Sequence, residues 1–273
     1  MRIRARIKEW LFGRCPGFAG SFPHYGTRVY FPQGCSSFKL ICREGAFEPE
    51  NVHLLCRLAR QGGTFLDVGA NLGLMASPVL RRCPQTQVVS FEPSPATLRY
   101  LEKTIASSPY RSRWRLVPKA LCECEGTVDF FAASEEKGVY DGMVDTGRAG
   151  STRKMAVPSS SLDIEWARLK RPKVCVIKID VEGAETKVLN GARECLGAQH
   201  PPILLEWNRV NLKAYGVDPS TLLTFAVGMN YSVHAIPGLV RISTVSELAL
   251  HMKMTESFLL WPSSAATSCI VQD

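Results

Sequence analysis

Thr64-Phe65-Leu66-Asp67-Val68-Gly69-Ala70-Asn71-Leu72-Gly73 is a short apolar run that ends in an acid and turns through two glycines into a helical pattern, LMASPVLRRC. Glycine has no Cβ and tolerates positive φ, so backbone N–H groups in such a turn can approach a ligand closely. A dinucleotide fingerprint needs G-x-G-x-x-G, whereas this spacing is Gly69-x-x-x-Gly73. The pyrophosphate cradle is therefore incomplete, and the stretch reads as a nucleotide-type site of another kind.

Working outward, the alternation is regular. After the turn and its helix come a strand in QVVSF, an acidic turn, a helix in PATLRYLEKTIAS and a strand in WRLVP. Strands alternating with helices predict an α/β fold whose mostly parallel sheet is covered on both faces. GTVDFFAA reads as an additional strand, and residues 135–152 as a long loop, either a lid or a surface excursion. A second round follows: the buried strand VCVIKID, one helix in AETKVLNGARECL and the strand PILLEW. YSVHAI, LVRIS and SFLLWP then close the sheet edge, and SAATSCIVQD is a loose tail. Upstream, GTRVYFP and FKLICRE read as short strands, and Glu48-Pro49-Glu50 opens a helix from Asn51 to Arg60 that stops at Gly62-Gly63. The expected organisation is an N-terminal appendage over residues 1–60 and a sheet domain over 61–273.

Two further motifs stand where strands should end. In Ser90-Phe91-Glu92-Pro93-Ser94-Pro95, about twenty residues past the first turn, the Glu92 carboxylate is placed to accept both hydroxyls of a ribose. It would otherwise be a helix-start acid favoured by the dipole. Val176-Ile177-Lys178-Ile179-Asp180-Val181-Glu182-Gly183-Ala184-Glu185 puts three carboxylates at the end of the sheet where open α/β folds bind ligands. Asp180 and Glu182 are the candidates to hold an amine, accept a substrate proton or bind a cation. Glu185 reads as a cap on the first helical turn.

Taken together, DVGANLG, FEPSP and KIDVEGAE resemble the FkbM family of S-adenosylmethionine-dependent methyltransferases. The resemblance runs from Phe47-Glu48-Pro49 to Glu206 and includes ALCECEGTVDF and VPSSSLD. It implies the class I methyltransferase fold, Rossmann-like, with a seven-stranded sheet whose last strand is antiparallel. It also implies S-adenosyl-L-methionine as cofactor and O-methylation of a hydroxyl on a sugar, a glycan or a secondary metabolite. Carried over residue by residue, it makes Asp67, Gly69, Ala70, Asn71 and Gly73 the cofactor turn, puts Glu92 with Pro93 on the ribose and sets Ala120 beside the adenine. Glu48 closes over the cofactor, and Asp180 also touches it. Glu123-Cys124-Glu125, directly after Ala120-Leu121-Cys122, departs from the family pattern.

Deprotonating an alcohol calls for a general base within hydrogen-bond reach, for which Asp180 and then Glu182 are the catalytic candidates. Of the five histidines, His24 and His234 are the two worth testing. No metal-ligand constellation stands out and no metal is expected, although the oxygens of Asp180 and Glu182 are of the kind magnesium takes. The rival readings are an NAD-dependent oxidoreductase or epimerase on a similar sheet, and a nucleotide-binding protein without turnover.

Composition bounds the partners. A hydrophobic share of 45% and a charged share of 21% suit a self-folding globular chain. The net charge of +8, concentrated in residues 1–14, 81–82 and 111–115, favours an anionic partner. No aromatic-and-basic nucleic-acid module accompanies it, so nucleic acid is not the expected substrate. The ten cysteines are scattered without a C-x-x-C pair, which suggests reduced thiols and, with no signal peptide in view, a cytoplasmic setting. No apolar run reaches the roughly 20 residues that span a bilayer. MRIRARIKEWLFGR puts Ile3, Ile7, Trp10 and Leu11 on one helical face with cations around it. That pattern fits weak contact with a membrane surface through Met1–Arg14, or a helix docked on its own domain.

Overall fold

The computed structural model describes residues 2–13, 20–133 and 140–263. The tail read as loose, and the part of the long loop at 134–139, lie outside the described residues.

The alternation folds as expected around one large sheet. In chain order, β1 (Ser21–His24) and β2 (Thr27–Tyr30) form a hairpin, and β3 (Gly63–Val68), β4 (Thr86–Phe91) and β5 (Trp114–Val117) follow. Next come β6 (Ala120–Leu121), β7 (Gly126–Ala132), β8 (Arg153–Ser160), β9 (Val174–Ile179) and β10 (Ile203–Glu206). The chain closes with β11 (Tyr231–Ala235), β12 (Val240–Ile242) and β13 (Ser257–Pro262). The main sheet has the order β12-β11-β13-β10-β9-β3-β4-β5. From β5 to β10 every pairing is parallel, and β13 runs antiparallel between β10 and β11.

The expected count of seven strands is thus corrected to eight. The antiparallel last strand is present as β13. The extra strand is LVRIS: it folds back on β11 through a turn at Gly238 and Leu239, both at positive φ, and pairs Val233 with Ile242 at the sheet edge.

The central strands are apolar on both faces because helices cover both. Phe65, Val88 and Val176 point into one core cluster, while Leu66, Val68, Val89, Ile177 and Ile179 point into the other. Each such fully buried side chain contributes about 1.5–3 kcal/mol. This packing sets the register that matters for function. Val68 lies opposite both Phe91 and Ile179, and Ile179 opposite Leu205, so the carboxyl ends of β3, β4, β9 and β10 are level. The chain leaves each of these strands at one rim of the sheet.

Three other expectations change. FKLICRE is not a strand but part of a helix, Ser36–Glu44. Phe38 and Cys42 are one turn apart and both buried, and Gly45 caps the helix in the left-handed region with its N–H on the Ile41 carbonyl at 2.8 Å. The single helix expected in AETKVLNGARECL is two, Glu185–Asn190 and Arg193–Gln199, broken at Gly191. GTVDFFAA is a strand as expected, but its partner is β8, and with β6 these make a separate three-stranded sheet.

The lead-in packs onto the sheet domain. Phe22, Val29, Phe31 and Phe38 share a cluster with Leu72, Leu74 and Tyr100. The Tyr30 N–H donates to Thr104 Oγ1 at 3.0 Å.

Candidate functional site

At the end of β3 the turn is held by its own backbone. The N–H groups of Gly69 and Ala70 both donate to the Phe91 carbonyl at 3.0 Å, which draws the start of the turn over the end of β4. Gly69 has φ 75°, and a Cβ there would meet the Asp180 carbonyl oxygen at 1.8 Å. The close approach of β3 and β9 at this rim therefore requires glycine. Gly73, at φ 82°, is closed off by the Trp114 ring 2.6 Å from where its Cβ would stand. Asp67 is fully buried beneath the turn, 3.9 Å from Lys178 Nζ, where burial first and then Asp180 push its carboxyl up to about 6. Asp67 and Gly73 support the turn from below, and Gly69, Ala70 and Asn71 are the turn residues that face the cavity.

Glu92 is fixed from behind. Its Oε2 accepts the Asn71 N–H and its Oε1 the Ser94 N–H, each at 2.9 Å, and the residue is only 5% exposed. A carboxylate has about four acceptor positions, so one lone pair on each oxygen remains for a ligand. Burial raises this carboxyl to about 7 despite the two N–H donors. Next to it, Asp141 accepts from Ser94 Oγ and from the Ala133 N–H, each at 2.7 Å. Asp141 comes from the loop read as a lid or surface excursion, and sequence reasoning missed it. The loop there has no periodicity to place a side chain, and a lone acid in it carries no signal.

The third group is acidic and crowded. Lys178 is buried, donates to the Gly69 carbonyl at 2.8 Å and stands 3.1 Å from Asp180 Oδ2. Burial alone would lower its ammonium, but Asp180, Asp67 and Glu48 hold it above its ordinary value. Glu182 sits at φ 56°, and its Oε2 accepts from Arg148 at 2.8 Å and from Asn211 Nδ2 at 2.9 Å. Burial, then the neighbouring Asp180, raise Glu182 to about 8. Glu48, at φ 39°, accepts from Asn51 Nδ2 at 2.8 Å. Glu206, at the end of β10, has a buried Oε2 without a partner among the described residues, and burial followed by Asp180 pushes it well above the usual carboxylate range. Glu185 is a local cap as expected, accepting the Val181 and Gly183 N–H groups at 3.2 and 3.1 Å.

These groups converge on one cavity of about 510 Å³, lined by Glu48, Gly69, Ala70, Asn71, Glu92, Pro93, Ala120, Asp141, Lys178, Asp180, Glu182 and Glu206, among others. Ligand atoms of Asp180, Glu182 and Glu206 all lie within 4.8 Å of one another, a set of hard oxygens that suits a divalent cation or a ligand's ammonium. His24 and His234 are not part of it. His24 Nε2 donates to the Leu74 carbonyl and His234 Nδ1 to the Leu239 carbonyl, so both are structural. Lys178 and Glu206 were missed in the sequence, yet each is a charged residue inside an otherwise apolar strand, which is a usable signal.

The crowding makes a pH prediction. Asp67 (about 6), Glu92 and Glu185 (each about 7) and Glu182 (about 8) bind protons more tightly in the fold than at the model values of 3.8 and 4.5 for the free chain. The stability they contribute is full below about pH 4 and is lost as pH rises through 6 to 8. The ligand-free protein is expected to melt at a lower temperature at pH 8.5 than at pH 5.5. Equal melting temperatures would mean that these carboxyls are not crowded in solution.

Comparison with known proteins agrees with this geometry. Residues 67–233 match the family model described as the Methyltransferase FkbM domain, well over half of the chain. A methyltransferase of Sordaria araneosa, sdnD, is 24% identical over 155 residues, 47% of this chain, which spans 60% of that protein's length. Among solved structures, the FkbM methyltransferase from Methylobacillus flagellatus aligns at 15% identity with a TM-score of 0.44, over 73% of this chain and 43% of that one. An O-methyltransferase from Bacillus cereus aligns at 10% identity with a TM-score of 0.43, over 78% and 80%. With the turn, the Glu92 strand end and the Asp180–Glu182 rim all inside the matched segment, the chain belongs to the FkbM methyltransferase family.

Proposed function

We propose that this protein transfers a methyl group from S-adenosylmethionine to a hydroxyl oxygen of a sugar, a glycan or a secondary metabolite. The observation that carries the reading is the pinned, buried Glu92 carboxylate facing the same cavity as the acidic group at Asp180, Glu182, Glu206 and Glu48. Four acids there face two cations, Lys178 and Arg148. A donor with a sulfonium and an ammonium suits that surplus of negative charge, whereas the pyrophosphate of NAD would be repelled by it. This favours the methyltransferase over the oxidoreductase reading.

The residues fit the donor end to end. Glu92 accepts the ribose hydroxyls, Asp141 accepts the exocyclic amine of the adenine beside Ala120, and Asp180 faces the ammonium. When bound, S-adenosylmethionine supplies an electrophilic methyl carbon. The chain's own part is to hold the acceptor oxygen in line with that carbon, exclude water and remove the hydroxyl proton. Glu182 is placed for the last task, since Arg148 and Asn211 fix its Oε2 and leave Oε1 for the acceptor.

The test is calorimetry of the pure protein with S-adenosylmethionine and with its demethylated product. Failure of the folded protein to bind either would end the reading. For the base, Glu182→Gln is expected to lower kcat by about 10²–10⁴-fold. The donor KM should hold, and the rise in rate through pH about 8 should disappear. If that rise survives the substitution, Glu182 is not the base, and Asp180→Asn becomes the variant to measure.

A further inference from the structure

The helix Arg2–Gly13 turns its more apolar side outward. Ala5 and Phe12 pack against the cluster of Phe22, Phe31 and Phe38, which fixes the inward side of the helix. Ile3, Ile7, Trp10 and Leu11 recur at helical spacing on the opposite side and are 76%, 52%, 64% and 54% exposed. Arg4, Arg6 and Lys8 are exposed around them. The sequence pattern fitted either a helix docked on its own domain or one lying on a lipid surface. The structure contains the docking, and it uses a different side of the helix from the apolar stripe.

This helix packs against Ser36–Glu44, which forms part of the cavity wall. Lys39 and Arg43 of that second helix are exposed and also line the cavity, so they mark its mouth. The apolar stripe, a basic rim and the cavity entrance thus belong to one corner of the molecule.

We infer that the outward face of Arg2–Gly13 docks on an anionic lipid surface and brings the cavity mouth to that surface, so that the methyl acceptor is carried by the membrane. Charge complementarity selects the occupant. Apolar side chains ringed by Arg and Lys insert at the headgroup boundary and gain from anionic headgroups, whereas a self-association through this face would bring like charges together. Among the described residues no helix is long and apolar enough to cross a membrane, so the contact is with the surface. The docking stands on its own, and the clause about the acceptor rests on the proposed methyl transfer.

The experiment is co-sedimentation of the full chain with phosphatidylcholine vesicles, with and without phosphatidylglycerol, beside an Ile7→Glu/Trp10→Glu variant of unchanged melting temperature and donor binding. The expected result is sedimentation with the anionic vesicles only, weakened by salt and reduced at least about tenfold in the variant. Three results would overturn the docking: no sedimentation, equal sedimentation of the variant, or equal binding to neutral vesicles. Dimers in gel filtration that the variant loses would identify a second copy as the occupant instead. Label from the donor is expected in the organic phase of a cell extract, and label confined to the aqueous phase overturns the acceptor clause. Donor calorimetry on the same samples separates the two failures: donor binding without vesicle binding removes only the docking, and the reverse removes the methyl-transfer reading.

Discussion

Glu92→Ala is expected to weaken binding of S-adenosylmethionine and of its demethylated product alike, by about 10²-fold or more in calorimetry. Two hydrogen bonds from ribose hydroxyls to a charged acceptor are lost, each worth about 1.5–3 kcal/mol when made to a charged group. A further cost comes from the protein itself, because the Asn71 and Ser94 N–H groups that donate to the carboxylate lose their partner. Glu92→Gln separates the two contributions. It keeps one acceptor oxygen and should retain more of the affinity than alanine does. Both ligands share the adenosine, so an effect on S-adenosylmethionine alone would place Glu92 at the sulfonium and contradict the assignment.

Gly69→Ala is expected to be the most damaging single methyl in the molecule. The new Cβ would stand 1.8 Å from the Asp180 carbonyl oxygen, and φ 75° is a conformation an L-residue adopts only under strain. Neither atom is at the end of a flexible side chain, so relief requires β3 and β9 to move apart at the rim. A cost of about 3 kcal/mol or more follows, a fall in Tm of about 6–12 °C for a chain of this size. Donor binding should fall with it, since the same displacement shifts the turn and the Lys178 contact. A Gly69→Ala protein with wild-type melting and wild-type donor affinity would show that the strands are not this close in solution. Gly45→Ala is the control: nothing lies within 4 Å of its Cβ position, so only the strain of φ 88° is felt.

Much of this site was legible because it is built from strand ends. A strand that finishes in Asp67-Val68-Gly69, or in Ile179-Asp180, announces both its direction and the rim where it stops, and parallel pairing then brings those rims together. The register of Val68 with Phe91 and Ile179 is what turns three separate motifs into one cavity. Asp141 was illegible for the opposite reason. Its position depends on two hydrogen bonds to residues far from it in kind, Ser94 Oγ and the Ala133 N–H, and no periodicity encodes them. FKLICRE misled because only Ile41 in it is β-branched, while Phe38 and Cys42 carry the helical spacing that packing selected. The eighth strand was visible as LVRIS, but the resemblance to a seven-stranded family argued against counting it. The cavity wall contributed by Ser36–Glu44 was out of reach altogether, since it requires knowing how the lead-in folds back over the turn.

The surplus of acids around Lys178 also bears on how a reaction cycle would close. With methyl transfer the sulfonium becomes a neutral thioether, and the spent molecule keeps the adenosine contacts at Glu92 but gives up one positive charge facing Asp180, Glu182 and Glu206. In a poorly solvated cleft that difference is felt strongly. The wall that attracts the fresh donor thus holds the exhausted one less firmly, and turnover acquires a direction from electrostatics alone, without any moving part.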